Sequence, residues 1–323
     1  LKITNKRNLS LPLAVLFSHS DYDASSAEKT ISATSIMKPL RSIILQMQNT
    51  EIQSQVDLVD MIPSVFGSAV HSFAEQAWRT PSTMRAALSA MGIPLDTQKR
   101  VIVNPDLTTE DIIPIYIERR TEKEIAGWTI RGKFDCCVDG KLADYKTTSV
   151  WATIFGSNDE DYKMQGSIYR WLNQDIVTAD TISIEKIYTD WSATKARQDS
   201  KYPQCRAESI DIQLLSVQAT KSWLSGRLVE IDKLLQLNQD QLPMCSNDEL
   251  WSSDSKWKYY KKPGAARATK VYSTSDEANQ RLATEGTGEV IHFPGQVKRC
   301  NYCNVQPICT QAQALINEGR LEV

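Results

Sequence analysis

RGKFDCCVDGKLADYKTTSV, residues 131–150, holds two short β-type runs on either side of Asp139-Gly140. That dipeptide favours a two-residue hairpin turn. A turn centred there pairs Val138 with Lys141, Cys137 with Leu142, Cys136 with Ala143, and Asp135 with Asp144. Side chains alternate with period two, so Asp135, Asp144 and Lys146 share one face. Phe134, Cys136, Val138, Ala143 and Tyr145 form the other, apolar face. The register sets two carboxylates opposite each other with Cβ atoms roughly 5 Å apart, which is destabilising for like charges. A divalent cation between them removes the conflict. Hard oxygen ligands on adjacent strands suit Mg²⁺ or Mn²⁺, which keep waters for a substrate phosphate. Lys146 then stands where it can orient a water or neutralise charge on a phosphoryl transition state. The alternative is a solvated, charged hairpin face, which antiparallel sheets commonly carry.

The flanking sequence predicts helices, strands and a mixed sheet. Residues 1–30 read as irregular and polar. Residues 32–47 read as a capped helix with Pro39 near its start, and 64–91 as helix broken near Pro81. Residues 113–120 and 127–147 alternate as strands, 158–176 read as helix, and 181–191 as strand. Residues 209–238 read as one long amphipathic helix carrying Leu214, Val217, Leu224, Leu228, Ile231 and Leu235 on one side. The order predicts an α/β fold, with helices packed on a mixed sheet. After Pro243 the composition turns basic and aromatic. The expected division is a core over 1–240 and a second region over 241–323.

Two helices add side chains to the hairpin. GSAVHSFAE places His71 and Glu75 at i and i+4, and DYKMQGSIYRWL places Gln165 and Tyr169 likewise. Ordinary packing explains each pair taken alone. Together and in order, GSAVH (67–71), GKFD (132–135), DYK (144–146) and QGSIY (165–169) resemble the RecB-like branch of the PD-(D/E)XK nucleases, over about Ser32 to Asn173. The resemblance implies a restriction-endonuclease-like mixed sheet flanked by helices. It implies that His71, Asp135, Asp144 and the backbone carbonyl of Tyr145 hold the metal. It also implies Lys146 as the catalytic lysine, with Gln165 and Tyr169 lining the site and contacting DNA. Glu75 and Glu118 lie near these motifs and are not assigned a role.

CNYCNVQPIC carries Cys300, Cys303 and Cys309 as C-x2-C-x5-C, and a CxxC turn lets two thiolates reach one metal centre. Cys245 is the expected fourth ligand and Cys205 the next choice. Strand packing accounts for Cys136 and Cys137. Zn²⁺ in a Cys₄ site and an iron–sulfur centre both suit four thiolates. The triplet resembles that of RecB-like nucleases carrying a [4Fe–4S] cluster, which implies the cluster with Zn²⁺ as the alternative. In those nucleases the fourth cysteine precedes the nuclease motifs, whereas here none precedes Cys136. The centre is expected to clamp the C-terminal segment.

Residues 256–270 hold Lys256, Lys258, Lys261, Lys262, Arg267 and Lys270, with Trp257, Tyr259 and Tyr260 among them and no acidic residue. Basic side chains track phosphates and aromatics stack on unpaired bases, so the stretch is a candidate DNA contact; a solvated basic loop is the alternative. The whole chain has 323 residues and a formal net charge of −2, so any basic surface must be local. With 41% hydrophobic and 24% charged residues it can bury an ordinary globular core. No apolar run reaches membrane-spanning length, and LPLAVLF is too short. An odd count of seven cysteines without a secretion signal favours metal ligation over disulfides and a cytoplasmic setting. The expected activity is a metal-dependent deoxyribonuclease, an exonuclease in recombination, repair or phage DNA processing. The layout resembles phage recombination exonucleases, which implies a single-strand annealing protein as partner. A structure-specific endonuclease and a DNA-binding scaffold are the alternatives.

Overall fold

The computed structural model describes residues 2–19, 28–52, 55–155 and 158–322. In chain order the first elements are β1 (Lys2–Thr4), α1 (Leu11–Ser18), β2 (Thr30–Ser32), α2 (Leu40–Gln48), β3 (Gln55–Asp57), α3 (Leu58–Arg79), α4 (Pro81–Ala90) and α5 (Leu95–Arg100). The central strands are β4 (Val101–Val103), β5 (Ile113–Ile125), β6 (Trp128–Val138) and β7 (Lys141–Thr148). They are followed by α6 (Val150–Phe155), α7 (Asp159–Leu172), β8 (Thr181–Tyr188), α8 (Ala193–Gln198), β9 (Ala207–Gln213) and α9 (Val217–Leu234). The last elements are β10 (Lys256–Tyr260), β11 (Lys270–Tyr272), α10 (Ser275–Glu285), β12 (Glu289–Phe293) and α11 (Thr310–Asn317). Two compact units result: Leu1–Met37 with Gln55–Glu230, and Lys38–Ser54 with Ile231–Val323.

The first unit is built on a mixed sheet in the order β4-β5-β6-β7-β8-β9, with β2 also pairing β6. Asp139 and Gly140 both take left-handed φ, 48° and 84°, as a tight hairpin turn of this kind needs. The predicted pairs Val138↔Lys141, Cys137↔Leu142 and Cys136↔Ala143 form, and there the β6–β7 ladder ends. The fourth pair does not form. Asp135 instead accepts a hydrogen bond from the backbone N–H of Tyr145, at 2.9 Å. Along its other edge β7 pairs in parallel with β8 from Leu142 to Thr148, and β6 takes β2 over Thr129–Arg131. The two hairpin strands therefore part at the carboxylates.

One side of the sheet packs on α3. Trp78 joins Val101, Val103, Ala143 and Tyr145 around the buried Ile115, Ile117 and Cys136. On this side Gly67 lets α3 approach β7 closely, since a Cβ there would lie 3.4 Å from Thr147 Oγ1. The other side packs on α7 through two further glycines. A Cβ on Gly132 would lie 2.5 Å from Leu172, and one on Gly166 would lie 2.8 Å from Leu214.

Three expectations need correction. Residues 209–213 are strand, not helix: Ile210 and Ile212 are half-buried between exposed neighbours, and the run pairs antiparallel with β8. The long helix starts only at Val217. Between Ser32 and Pro39 the chain is strand and turns, and the helix begins after Pro39, which lacks the N–H a preceding turn would need. Near the N-terminus, LPLAVLFS is not irregular but forms α1, with proline in its first turn. Among the described residues no helix is long and apolar enough to cross a membrane.

The second unit carries a three-stranded antiparallel sheet in the order β11-β10-β12. It also holds α2, which lies far from the rest of this unit in sequence.

Candidate functional site

The point where β6 and β7 part is the place where charge collects. His71, from α3, sets Nδ1 3.2 Å from Asp135 Oδ1. Asp144 and Lys146, two apart on β7, form an ion pair. Gln165, from α7, bridges this pair: its Nε2 lies 3.4 Å from Asp144 Oδ1, and its Oε1 accepts from Lys146 Nζ at 3.5 Å. The same amide donates to Tyr169 Oη at 3.0 Å, one helical turn on. Tyr162, also on α7, lies under the Lys146 ammonium, 5.6 Å from ring centre to nitrogen. The four short motifs thus converge on one place. Tyr145 holds Asp135 through its N–H, and its ring meets His71 edge-on at 6.3 Å.

Glu118 joins this group, although no motif in the sequence assigns it a role. It takes a left-handed φ of 50° inside β5. It sits across from Asp135 at the one position that the β5–β6 ladder skips. Non-glycine residues in that conformation are strained, and such strain concentrates at functional sites. Its carboxylate is largely buried and pairs with Lys133. Ligand atoms of His71, Glu118 and Asp135 all lie within 4.8 Å of one another. Asp144 is not among these three. Glu75 pairs with Arg79 one turn along α3.

Burial governs the electrostatics. Asp144 is only 3% exposed, and burial raises its carboxyl to about 6, against the pull of Lys146. Burial works against the Lys146 ammonium too, but Asp144 more than offsets it and the group ends up raised. The Asp135 hydrogen bond outweighs burial at His71 and raises its imidazole. Burial pushes the Tyr169 phenol up, so it stays neutral while accepting from Gln165. Asp144 Oδ2 is ion-paired with Lys146, and Oδ1 faces the Gln165 amide. With the converging ligands of His71, Glu118 and Asp135, this donor set fits a hard divalent cation such as Mg²⁺ or Mn²⁺.

In the second unit, the four cysteines expected as ligands are free thiols near one another. Burial, then Glu249, then the other three cysteines push the Cys245 thiol up to about 12. Burial, Cys303 and Cys309 push Cys300 up to about 11. Gln311 clasps the Cys245 backbone from both sides, accepting its N–H at 2.8 Å and donating to its carbonyl at 2.9 Å. Among the described residues no three cysteine sulfurs lie within 4.8 Å of one another. A single zinc with bonds of about 2.3 Å draws its four sulfurs to roughly 3.8 Å apart. Cys205 is exposed in the first unit, and burial lifts Cys136 and Cys137 to about 12, in keeping with strand packing.

The basic stretch divides by burial. Tyr259 and Tyr260 are buried, and Tyr259 Oη donates to the Thr287 carbonyl at 2.8 Å. Tyr260, 7% exposed, is therefore a core residue rather than a platform for bases. Trp257 stacks on His292 at 4.7 Å, and the Lys258 ammonium sits 3.8 Å from the centre of the Phe293 ring. His292 and Phe293, which sequence reasoning missed, extend the aromatic surface; only the strand pairing brings them there. Lys261 pairs with Glu285 at 3.3 Å, and Lys270 lies over Tyr272 at 5.1 Å. Lys256, Lys262 and Arg267 are exposed.

No family model matches this chain, and no curated protein does. Solved structures do. The crystal structure of SSO0001 aligns with a TM-score of 0.37 at 15% identity, over 68% of this chain and 81% of that one. A phage-related exonuclease from Haemophilus somnus 129PT aligns with a TM-score of 0.36 at 12% identity, over 64% of this chain and 95% of that one. Both likenesses are distant.

Proposed function

We propose that this protein is a divalent-cation-dependent deoxyribonuclease of the PD-(D/E)XK type, working as an exonuclease on DNA ends or single strands. The observation that carries this reading is Asp144. It is a buried carboxylate, ion-paired with the half-buried Lys146, bridged to it by Gln165 and set beside a convergent His–Glu–Asp group. An ion pair alone needs no such group of ligands beside it; a cation site does. Mg²⁺ or Mn²⁺, when bound, supplies Lewis-acid polarisation of the phosphodiester and a more acidic water.

The chain's own residues do the rest. His71, Asp135, Asp144 and Glu118 hold the cation, with the Tyr145 carbonyl as a further ligand. Lys146 enters as a cation. This suits it to neutralising charge on the phosphoryl oxygens and orienting the attacking water rather than taking a proton. Gln165 fixes the lysine and the aspartate relative to each other, and Tyr169 fixes Gln165. In the second unit, Cys245, Cys300, Cys303 and Cys309 hold a [4Fe–4S] cluster, with Zn²⁺ as the alternative, a reading supported by the C-x2-C-x5-C spacing and by the mutual proximity of the four thiols. DNA is held by Lys256, Lys258, Lys262, Arg267 and Lys270, with Trp257, His292 and Phe293 offering faces for unpaired bases.

The test is degradation of linear and circular DNA by the purified protein in magnesium, in manganese and in EDTA. Metal-dependent loss of linear DNA with circles spared supports the proposal. Cleavage of circles would reassign the mode to endonuclease, and no cleavage of any DNA would overturn the nuclease reading.

A further inference from the structure

Arg41, on the first turn of α2, is 2% exposed. Among the described residues no carboxylate pairs with it. Its guanidinium meets neutral acceptors on most sides: the carbonyls of Gln239 and Leu242, both at 3.2 Å, Gln239 Oε1 at 3.4 Å and Thr310 Oγ1 at 2.8 Å. Its remaining donor, Nε, points at Cys309 Sγ, 3.4 Å away. Ser42, the next residue, brings its Oγ 3.6 Å from Cys303 Sγ. Two adjacent residues of one helix thus address two of the four sulfurs, across a sequence separation of 268 positions in the case of Arg41 and Cys309.

A guanidinium keeps its charge, and a buried charge without a counterion is strongly destabilising. Neutral carbonyls solvate it but do not balance it. The missing anion must come from the sulfur side. Four thiolates around a zinc ion or a [4Fe–4S] core leave about two net negative charges, themselves buried and in need of a cation.

We propose that Arg41 is the fixed countercharge of a metal–thiolate centre, and that Arg41 and Ser42 are positioning residues which hold Cys309 and Cys303 by N–H···S and O–H···S hydrogen bonds. The inference rests on the cysteine-centre reading above and adds a role for α2. The helix belongs to the second unit because its first turn completes the surroundings of the centre. The planar fork matters as well as the charge. Nε reaches the sulfur while the other two nitrogens anchor the group to the chain, which a lysine cannot reproduce.

The experiment uses the full chain, purified anaerobically, as wild type, Arg41→Met, Arg41→Lys and Ser42→Ala. Iron, sulfide and zinc are counted per chain, and metal loss to a chelator is timed. Wild type should carry the centre. Arg41→Met should lose metal about tenfold faster or more, in line with outer ligand partners elsewhere. Arg41→Lys should fall between the two, and Ser42→Ala should show a smaller acceleration. If the centre is iron–sulfur, its reduction potential should drop in Arg41→Met, because both the charge and the hydrogen bond favour the more negative reduced form.

Metal-loaded variants that match wild type in loss rate and potential would overturn the proposal and leave the cysteine centre standing. Should Arg41→Met not fold, unchanged loss rates in Arg41→Lys and Ser42→Ala together overturn it. A wild-type chain that takes up neither zinc nor iron with sulfide removes the cysteine reading, and the proposal with it.

Discussion

Replacing Asp144 with Asn should make the metal-free protein more stable while destroying its activity. Asn keeps the shape of the carboxyl and mimics its protonated form. Burial holds the Asp144 carboxyl at about 6 rather than 3.8. That is roughly two pH units at ~1.4 kcal/mol each, or about 3 kcal/mol. That figure is an upper bound, because the variant leaves the half-buried Lys146 ammonium without its partner, which is itself destabilising. The sign follows from linkage. A carboxyl whose folded pKa is raised contributes stability that is fully present below 3.8 and is lost as pH rises through about 6. Wild type suffers this loss and Asp144→Asn does not. Urea unfolding in EDTA should therefore find the variant more stable by up to about 3 kcal/mol near pH 7.5, the gap closing by about pH 4. Magnesium should reverse the order at about a thousandfold excess over Kd, since it stabilises only the form that binds it, by about 4.1 kcal/mol. A variant less stable than wild type near neutral pH without metal would refute the reasoning. So would a gap that does not change with pH.

Gly132→Ala should destabilise the first unit by about 1–3 kcal/mol and lower turnover, because its methyl would collide with Leu172 and the Tyr169 ring that steadies Gln165; thermal unfolding and DNA degradation check the two effects together. Anaerobic protein should be brown with about four irons per chain, and Cys303→Ala should destabilise the second unit far more than Cys136→Ala, measured by limited proteolysis; equal effects would mean that the triplet binds nothing. Neutralising Lys256, Lys262 and Arg267 together should weaken DNA binding and flatten its salt dependence by roughly 0.7–0.9 in log–log slope for each phosphate left unneutralised, with little change in turnover at saturation. Trp257→Ala should hurt single-stranded binding more than duplex binding, as read by fluorescence anisotropy.

The hairpin could be read in the sequence because its turn demands left-handed φ at two successive residues and Asp139-Gly140 supplies it. The helices bearing His71 and Gln165 were visible for a similar reason: their apolar spacing is helical and their glycines mark close approach. Other features depend on partners far along the chain. IERR at 117–120 looks like ordinary strand, and nothing local reports that Glu118 turns out of the ladder opposite Asp135. Ile210, Ile212 and Leu214 satisfy a strand and the edge of a helical stripe equally, so only pairing with β8 decides. Tyr259 and Tyr260 look available until the fold of the second unit, with α10 packed on the small sheet, buries them. Arg41 reads as a routine basic residue near the start of a helix; its meaning appears only where Cys309 meets it.

The central claim is that Asp144 and Lys146 serve a DNA-cleaving cation site and not merely a buried ion pair. The most direct measurement is single-turnover degradation of end-labelled linear DNA, with magnesium or manganese, by wild type and by Lys146→Ala at saturating protein. The account predicts metal-dependent release of short products by wild type. It predicts a loss of several orders of magnitude in Lys146→Ala, whose affinity for the same DNA in calcium should stay near that of wild type. Undiminished cleavage by Lys146→Ala, or none by wild type with either metal, would contradict it.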